Sequence, residues 1–470
     1  MLPLVDIPEI VQHYAPFFTA VFSPAALEQF KRYLSGLIVS ENKTVDGINR
    51  LFVVDTRNQS SLNRLLGESP FSVEALNQAR LAVLEQLPGT QVKGQGVLSV
   101  DDTLLTHYGQ HFEQIANLFD PVSQSYVWAH NLVNLHYSDD DTDYPLDFHL
   151  WEPAQVEALE AGLKAAGIPL RSSKYPLQQT DPLKWRAYLV GVWARHQQDP
   201  AVQKIYHSKL LIAQELLRDF FTGHPHLHHL PVTFDAWYTQ APFCRFLNDR
   251  LRVAYVGTLK GDAELVLADG KKRLDAFAGH LKEEHLQALK EGLGPVFQPT
   301  TIPYKGTQET YYSYCHTHRL KSFGRLRLVI NYQQEDLSDT PRFFISNRLR
   351  WHAATLTRIR RHRWPVEVYH EEGKADGLAQ YQVRRFEAIG KHIALVAVTY
   401  SLLRAAPHDQ ALLRRLRQNV HTTLDGSAGS GRRNTQAQAL WALAGFIQTA
   451  LAHGQTLKQA MRPLLAAVAY

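Results

Sequence analysis

The sequence predicts an α/β protein with a mixed β-sheet, flanked by helical regions at both ends. Three observations carry that expectation. Short β-rich runs at Val97–Val100, Asn131–Tyr137 and Leu146–Trp151 follow the glycine-punctuated segment Gly94-Gln95-Gly96. A strongly amphipathic helix is expected over Ala201–Phe221, and further strands follow at Leu230–Phe234 and Val253–Leu259. Strands interleaved with helices imply a sheet covered by helices rather than a pure bundle or sandwich.

Residues 1–92 read as helical. Ser23-Pro24 has the form of an N-cap followed by proline in the first turn, leading into Ala25–Gly36, and two more helical stretches are expected at Thr44–Val53 and Ser72–Gln86. Such a series suits a DNA-binding helix-turn-helix or a small structural bundle. Charge does not choose between them, with 8 Lys/Arg against 9 Asp/Glu through Lys93. Residues 93–400 form the α/β region. Within it a β-rich insertion at about 258–345 contains the alternating runs Arg325–Tyr332 and Arg342–Ile345. Beyond Asn347 the chain reads as helical, with Gly426–Arg433 as a flexible linker by composition, and residues 401–470 are a candidate dimerisation or DNA-end-binding region.

Composition narrows the classes. The 470 residues are 45% hydrophobic and 20% charged, which excludes wholesale disorder. No uninterrupted apolar run approaches the roughly 20 residues of a membrane span, so no membrane partner is expected. Asp6 and Glu9 with no basic residue in the first ten argue against a signal peptide. Two cysteines, Cys244 and Cys315, cannot build a disulfide framework or a four-cysteine zinc site, so a cytoplasmic setting is expected.

The net charge of +5 conceals an uneven distribution. Residues 1–150 hold 8 Lys/Arg and 18 Asp/Glu, a balance of −10, so the remaining 320 carry +15. Nine acids and no base lie between Asp101 and Leu150, and seven arginines and no acid lie between Arg342 and Trp364. An acidic pocket beside a basic surface suits metal-dependent work on a polyanion.

Three acidic positions stand out. Asp101 and Asp102 are expected to close the strand Val97–Val100, Asp235 to close the strand before it, and Glu367 to sit on a helix opened by Pro365. Ligands of open α/β sheets lie beyond the carboxyl ends of strands, although acids also end strands simply because they favour turns. Lys374, seven residues after Glu367, falls two turns along the same helix face, and Arg363 precedes it. Other chemistries find less support. The histidines at 224, 226, 228 and 229 alternate around Pro225 as a loop would, and His280 to His285 has the wrong spacing for a zinc-protease helix. No nucleophile elbow, phosphate loop or dinucleotide-binding glycine motif occurs.

These residues together resemble a known group. Arg363, Glu367 and Lys374 match the Arg-x3-Glu-x6-Lys part of the Tyr-Arg-Glu-Lys signature of DDE insertion-sequence transposases. Val100-Asp101-Asp102-Thr103 and Phe234-Asp235-Ala236-Trp237-Tyr238 resemble their two aspartate motifs, and Phe343 to Asn347 resembles another recurrent segment. The gaps of 134 and 132 residues fit, and Asp-Asp-Thr leans toward the insertion-sequence 701 branch of the insertion-sequence 4-like clan. The signature's tyrosine is replaced by Arg360.

The resemblance implies a ribonuclease H-like core in which Asp101, Asp235 and Glu367 hold two Mg²⁺, with Mn²⁺ able to substitute. Oxygen ligands suit that ion, and paired metals serve phosphodiester cleavage and joining to target DNA. It implies that Arg363 and Lys374 hold phosphates, that Arg342, Arg348, Arg350, Arg358, Arg360 and Arg361 extend a DNA track, and that Trp237, Trp351 and Trp364 are candidates for stacking on an unpaired base. Double-stranded DNA, as transposon ends and target, is the expected partner, with a homodimer in the DNA complex. A nuclease without strand transfer and a non-catalytic DNA-binding descendant are the alternatives.

Overall fold

The computed structural model describes residues 2–419 and 424–468; the rest of the expected C-terminal region, at 420–423 and 469–470, lies outside the described residues. Helices α1 (Glu9–Tyr14), α2 (Pro24–Val39), α3 (Val45–Arg50), α4 (Ser60–Gly67) and α5 (Val73–Glu85) come first. The hydroxyls of Ser23, Thr44 and Ser72 accept from the backbone N–H groups that open α2, α3 and α5. Helix α3 is shorter than the expected Thr44–Val53, ending at Arg50. Apolar residues of this region such as Phe30, Leu37 and Leu76 share one core with Leu98, Leu132 and Leu395.

Strands β1 (Val97–His107), β2 (Ala116–Asp120), β3 (Ser125–Ser138) and β4 (Asp143–Trp151) follow. Next come α6 (Val156–Ala165), α7 (Leu177–Thr180), α8 (Pro182–His196), α9 (Pro200–Gln203), α10 (Lys209–Gly223), β5 (Val232–Phe234), α11 (Ala241–Arg245) and β6 (Tyr255–Leu259). Strand β3 pairs antiparallel with both β4 and β1, while β1, β5 and β6 run parallel. The order β4-β3-β1-β5-β6 is a ribonuclease H-like core. Two expectations change here. Strand β1 continues to His107, paired along its length with β3, so Asp101 and Asp102 lie within the strand rather than at its end. The helix expected from Ala201 starts at Lys209, because Ser208 caps it there and Ile205-Tyr206-His207 before it are poor helix formers.

Residues between β4 and α10 make a helical unit with its own apolar cluster of Leu159, Leu163, Trp185, Leu189, Val192, Trp193 and Val202. Trp185, one of its two tryptophans, is 1% exposed. Trp185→Ala should cost about 3–5 kcal/mol locally, read as new protease cleavage between Glu152 and Ser208; an unchanged digestion pattern would contradict that.

The β-rich insertion contains β7 (Glu264–Leu267), β8 (Gly270–Arg273), α12 (Leu274–Lys290), β9 (Gln298–Tyr304), β10 (Thr307–Leu320), β11 (Gly324–Tyr332) and β12 (Arg342–Ser346). Strand β12 pairs on one side with β11 and on the other with β6, so the sheet runs on through twelve strands. Helices α13 (Ala353–Arg361), α14 (Trp364–Ala375), α15 (Phe386–Ala405), α16 (Gln410–Asn419), α17 (Ala428–Ala452) and α18 (Leu457–Val468) complete the chain. Helix α15 lies in the segment Phe386–His408, which is long and apolar enough to cross a membrane, yet 83% of the relevant window is buried inside the protein.

The segment Gly426–Arg433 is not a flexible linker. Ser427 caps α17, and Arg432 bonds Glu372 and, at 2.9 Å, Asp376, so capping and ion pairing overrule the glycines.

Candidate active site

Register sets the first two carboxylates side by side. Val100 of β1 lies opposite Phe234 of β5 in the parallel pair, so Asp101 and Asp235 are each one residue further on. Strand β5 stops there, and the Asp235 carboxylate accepts from the backbone N–H groups of Trp237 (2.9 Å) and Tyr238 (3.0 Å), which fixes its orientation. Glu367 arrives from the first turn of α14, where Pro365 occupies a position whose missing N–H costs nothing. The turn leading into α14 is fastened to the sheet: the His362 carbonyl accepts from Ser99 Oγ (3.3 Å) and Ser138 Oγ (2.8 Å). Behind α14, buried His370 Nε2 lies 3.0 Å from Asn134 Nδ2 of β3.

Arg363 links the two ends of this arrangement. One Nη reaches Asp101 Oδ2 at 2.6 Å and the other bonds Glu367, while the residue as a whole is 7% exposed. Burial pushes the Asp101 carboxyl up to about 7; Arg363 pulls it down, and Asp235 and Asp102 push it further up. Burial likewise raises Asp235, against the backbone N–H bonds and Arg363. Among the described residues no three His, Cys, Asp or Glu side chains converge closely enough to hold a metal ion. The guanidinium of Arg363 stands between Asp101 and Glu367 instead. The donor chemistry nevertheless suits a hard cation, since crowded, partly buried carboxylates with raised pKa favour added positive charge.

Asp102 has different company. Its Oδ2 accepts from Asn131 Nδ2 (2.6 Å) and Lys209 Nζ (2.9 Å), so Asp101 and not Asp102 faces Arg363 and Glu367. Lys209 also lies 4.1 Å from the ring centre of Trp237, which is 43% exposed. Nothing in the sequence signals Lys209, which is 107 residues from its partner.

Beside the carboxylates opens a cavity of about 730 Å³ lined by Arg342, Arg360, Arg361, Arg363, Trp364 and Phe344. The arginines between 342 and 363, four of them in its lining, differ in engagement. Arg361 forks onto Glu309 at 2.9–3.2 Å, Arg358 pairs with Asp140 at 2.9 Å, and Arg348 donates to the Arg252 carbonyl at 3.3 Å. Arg360 has a buried Nε with no partner, its guanidinium lies 5.7 Å from the Phe344 ring centre, and burial lowers its pKa to about 9. Arg342 and Arg350 make no ion pair among the described residues. Trp364 is half exposed at the cavity rim, whereas Trp351 packs partly buried against Val97, Val329 and Leu356. Lys374 has Asp120 and Glu371 as charged neighbours rather than Glu367.

The acid-rich stretch found in the sequence therefore divides. Asp101 belongs to the site, while Asp139, Asp140, Asp141 and Asp143 make internal ion pairs with Lys93, Arg358, Lys305 and Arg404. The histidines from 224 to 229 assemble no metal site among the described residues, and His224 stacks on Phe220.

Comparison with known proteins adds three findings. A cryo-EM structure of piggyBac transposase in a synaptic complex with hairpin DNA aligns at TM-score 0.37 and 10% identity, covering 91% of this chain and 71% of that one. No curated protein matches the sequence. Residues 16–276, more than half of the chain and including Asp101 and Asp235, match the DDE superfamily endonuclease family, and the chain belongs to that family.

Proposed function

We propose that this endonuclease-family chain is a DNA transposase of an insertion sequence. It binds the terminal inverted repeats, cleaves the DNA ends, and joins the freed 3′-hydroxyls to target DNA. The observation that carries the reading is Asp101 and Asp235 on neighbouring strands, with Arg363 bonded to both Asp101 and Glu367, next to a cavity with arginines outside any ion pair. In this reading Asp101, Asp235 and Glu367 hold two Mg²⁺, or Mn²⁺, whose bound state supplies an activated water and charge neutralisation at the phosphodiester. Arg363, released from the carboxylates, turns to a phosphate oxygen beside the scissile bond. Arg360 and Arg342 hold flanking phosphates, and Trp364 and Trp237 offer faces for an unpaired base. The assignment to the insertion-sequence 701 branch with its Tyr-Arg-Glu-Lys signature, a homodimer in the DNA complex, DNA binding by residues 1–92, and end binding or dimerisation by 401–470 belong to the same proposal.

The deciding experiment supplies the purified chain with Mg²⁺ and a DNA fragment carrying the element's own terminal repeats. Nicks or excision at the repeat ends, followed by joined products with target DNA, are expected. Cleavage without joined products would reduce the reading to a nuclease, and no cleavage with either metal would overturn it. Arg360→Gln should weaken DNA binding several-fold and flatten the salt dependence by about one unit of slope, checked by titration at several ionic strengths.

A further inference from the structure

The helical unit between β4 and α10 has no role in the site as described, and beyond α6 its surface is one-sided in charge. Residues 153–208 hold seven Lys/Arg and four Asp/Glu; Glu157 and Glu160 lie on α6, where Glu160 pairs with Lys164. Between Ala165 and Ser208 there are six Lys/Arg and two Asp, both aspartates engaged as helix N-caps. Asp181 caps α8 and pairs with Lys184, and Asp199 caps α9. This leaves Arg171, Lys174, Arg186, Arg195 and Lys204 without an ion pair among the described residues, and all but Arg186 are exposed. On α8 the buried face carries Trp185, Leu189, Val192 and Trp193, while the outward face carries Lys184 and Arg195, with Ala187, Gly191 and Ala194 between them beside half-buried Tyr188, whose hydroxyl accepts from the Arg171 N–H. A face of small residues between cations lets a phosphate backbone approach closely.

The unit is anchored to the site at its base. Trp151 Nε1 at the end of β4 donates to Tyr206 at 3.0 Å, and the chain re-enters the core through Ser208 and Lys209. Lys209 is the residue whose ammonium lies on Asp102 and over Trp237. The helical unit is therefore joined to the surroundings of the carboxylates through Tyr206 and Lys209, which take no part in the arginine cavity.

We infer that residues 153–208, with Lys209 at their base, form a second duplex-DNA contact surface that binds phosphates independently of sequence and separately from the arginine cavity. The inference rests on the DNA-processing reading above. Phosphate is the fitting partner because unpaired, exposed Lys and Arg on a rigid helical frame gain from releasing the counterions of a polyanion.

The test uses the full chain and a fluorescein-labelled duplex of about 40 base pairs of arbitrary sequence, titrated across a range of salt concentrations. The combined variant Arg171→Ser, Lys174→Ser, Arg195→Ser, Lys204→Ser should bind roughly tenfold or more weakly, with a salt slope lower by about 0.9 per lost phosphate contact. An unchanged thermal melt would confirm an intact fold, and Arg171→Lys with Arg195→Lys should restore most of the affinity. If the combined variant binds with unaltered affinity and slope while Arg360→Gln loses affinity, the second surface is refuted and the DNA reading stands. If the wild-type chain binds no duplex at all, both fall.

Discussion

Replacing Asp101, Asp235 or Glu367 by alanine should lower DNA cleavage by about 10³-fold or more, because each supplies charge that no neighbouring group replaces. DNA binding should survive, since the unpaired cations of the arginine cavity are untouched. The fold should survive too. Asp101 is a carboxylate kept against its preference, pushed up to about 7 by burial despite Arg363. Asp101→Asn keeps its shape, removes the buried charge and should melt no earlier than wild type while losing cleavage. Sites that hold like charges together commonly trade stability for function in this way. Three variants that bind the repeat ends but do not cut them would support the assignment; normal cutting by any one of them would remove that residue from it. The parallel variant Asp102→Asn should keep most of its activity, because Asp102 is committed to Asn131 and Lys209.

Asp143→Ala should be the single charge removal away from the site that most destabilises the whole fold. The side chain is 3% exposed at the start of β4, and it accepts from Arg404 Nη2 (2.5 Å), Lys305 Nζ (2.9 Å) and the Tyr400 hydroxyl (2.7 Å). These partners come from α15 and from the turn between β9 and β10, so one carboxylate ties the core strand to the central helix and to the insertion. Removing it leaves two cations and a hydroxyl unsatisfied in a poorly solvated space, a loss of about 3–5 kcal/mol. Burial alone would raise the Asp143 pKa, but Arg404, then Lys305 and His136, overcome it and hold the group well below the usual carboxylate range. A depressed native pKa contributes stability that is complete above the unfolded value, about 3.9, and drains away as pH falls below it. Urea unfolding at neutral pH and on acidification checks both points. A loss below about 1 kcal/mol at neutral pH would contradict the account.

The core strands were legible because their signals are local. Val97–Val100, Leu230–Phe234 and Arg325–Tyr332 are runs of β-formers bounded by turn residues; strands β1 and β11 contain the first and last, and β5 (Val232–Phe234) falls inside the second. Pro365 marked the start of the Glu367 helix for the same reason. What sequence did not show was where charge would go. Asp139 to Asp143 counted toward an acidic pocket, yet their partners stand at Lys93, Lys305, Arg358 and Arg404, between about fifty and two hundred and sixty residues away. Arg363 read as a phosphate ligand and in the structure bonds Asp101 and Glu367. The separate helical unit went unseen for a related reason. Its Trp185 and Trp193 sit on α8 and Val202 on the four-residue α9, and only their packing against Leu159 and Leu163 of α6, about twenty to forty residues earlier, makes them a second core.

The continuity of the sheet through β12 has a further consequence. Arg342 is the first residue of β12 and Phe344 follows two later, both in the cavity wall, and the same strand is laddered to β6, next to the strand that leads into Asp235. Backbone ladders do not stretch, so the offset between cavity and carboxylates is constant. On the transposase reading, the insertion serves as a gauge: a substitution in the cavity changes how firmly a DNA segment is gripped, but the bond presented for cutting stays the same number of nucleotides away. Moving the cut would take a change of register between β6 and β12, not a change of side chain.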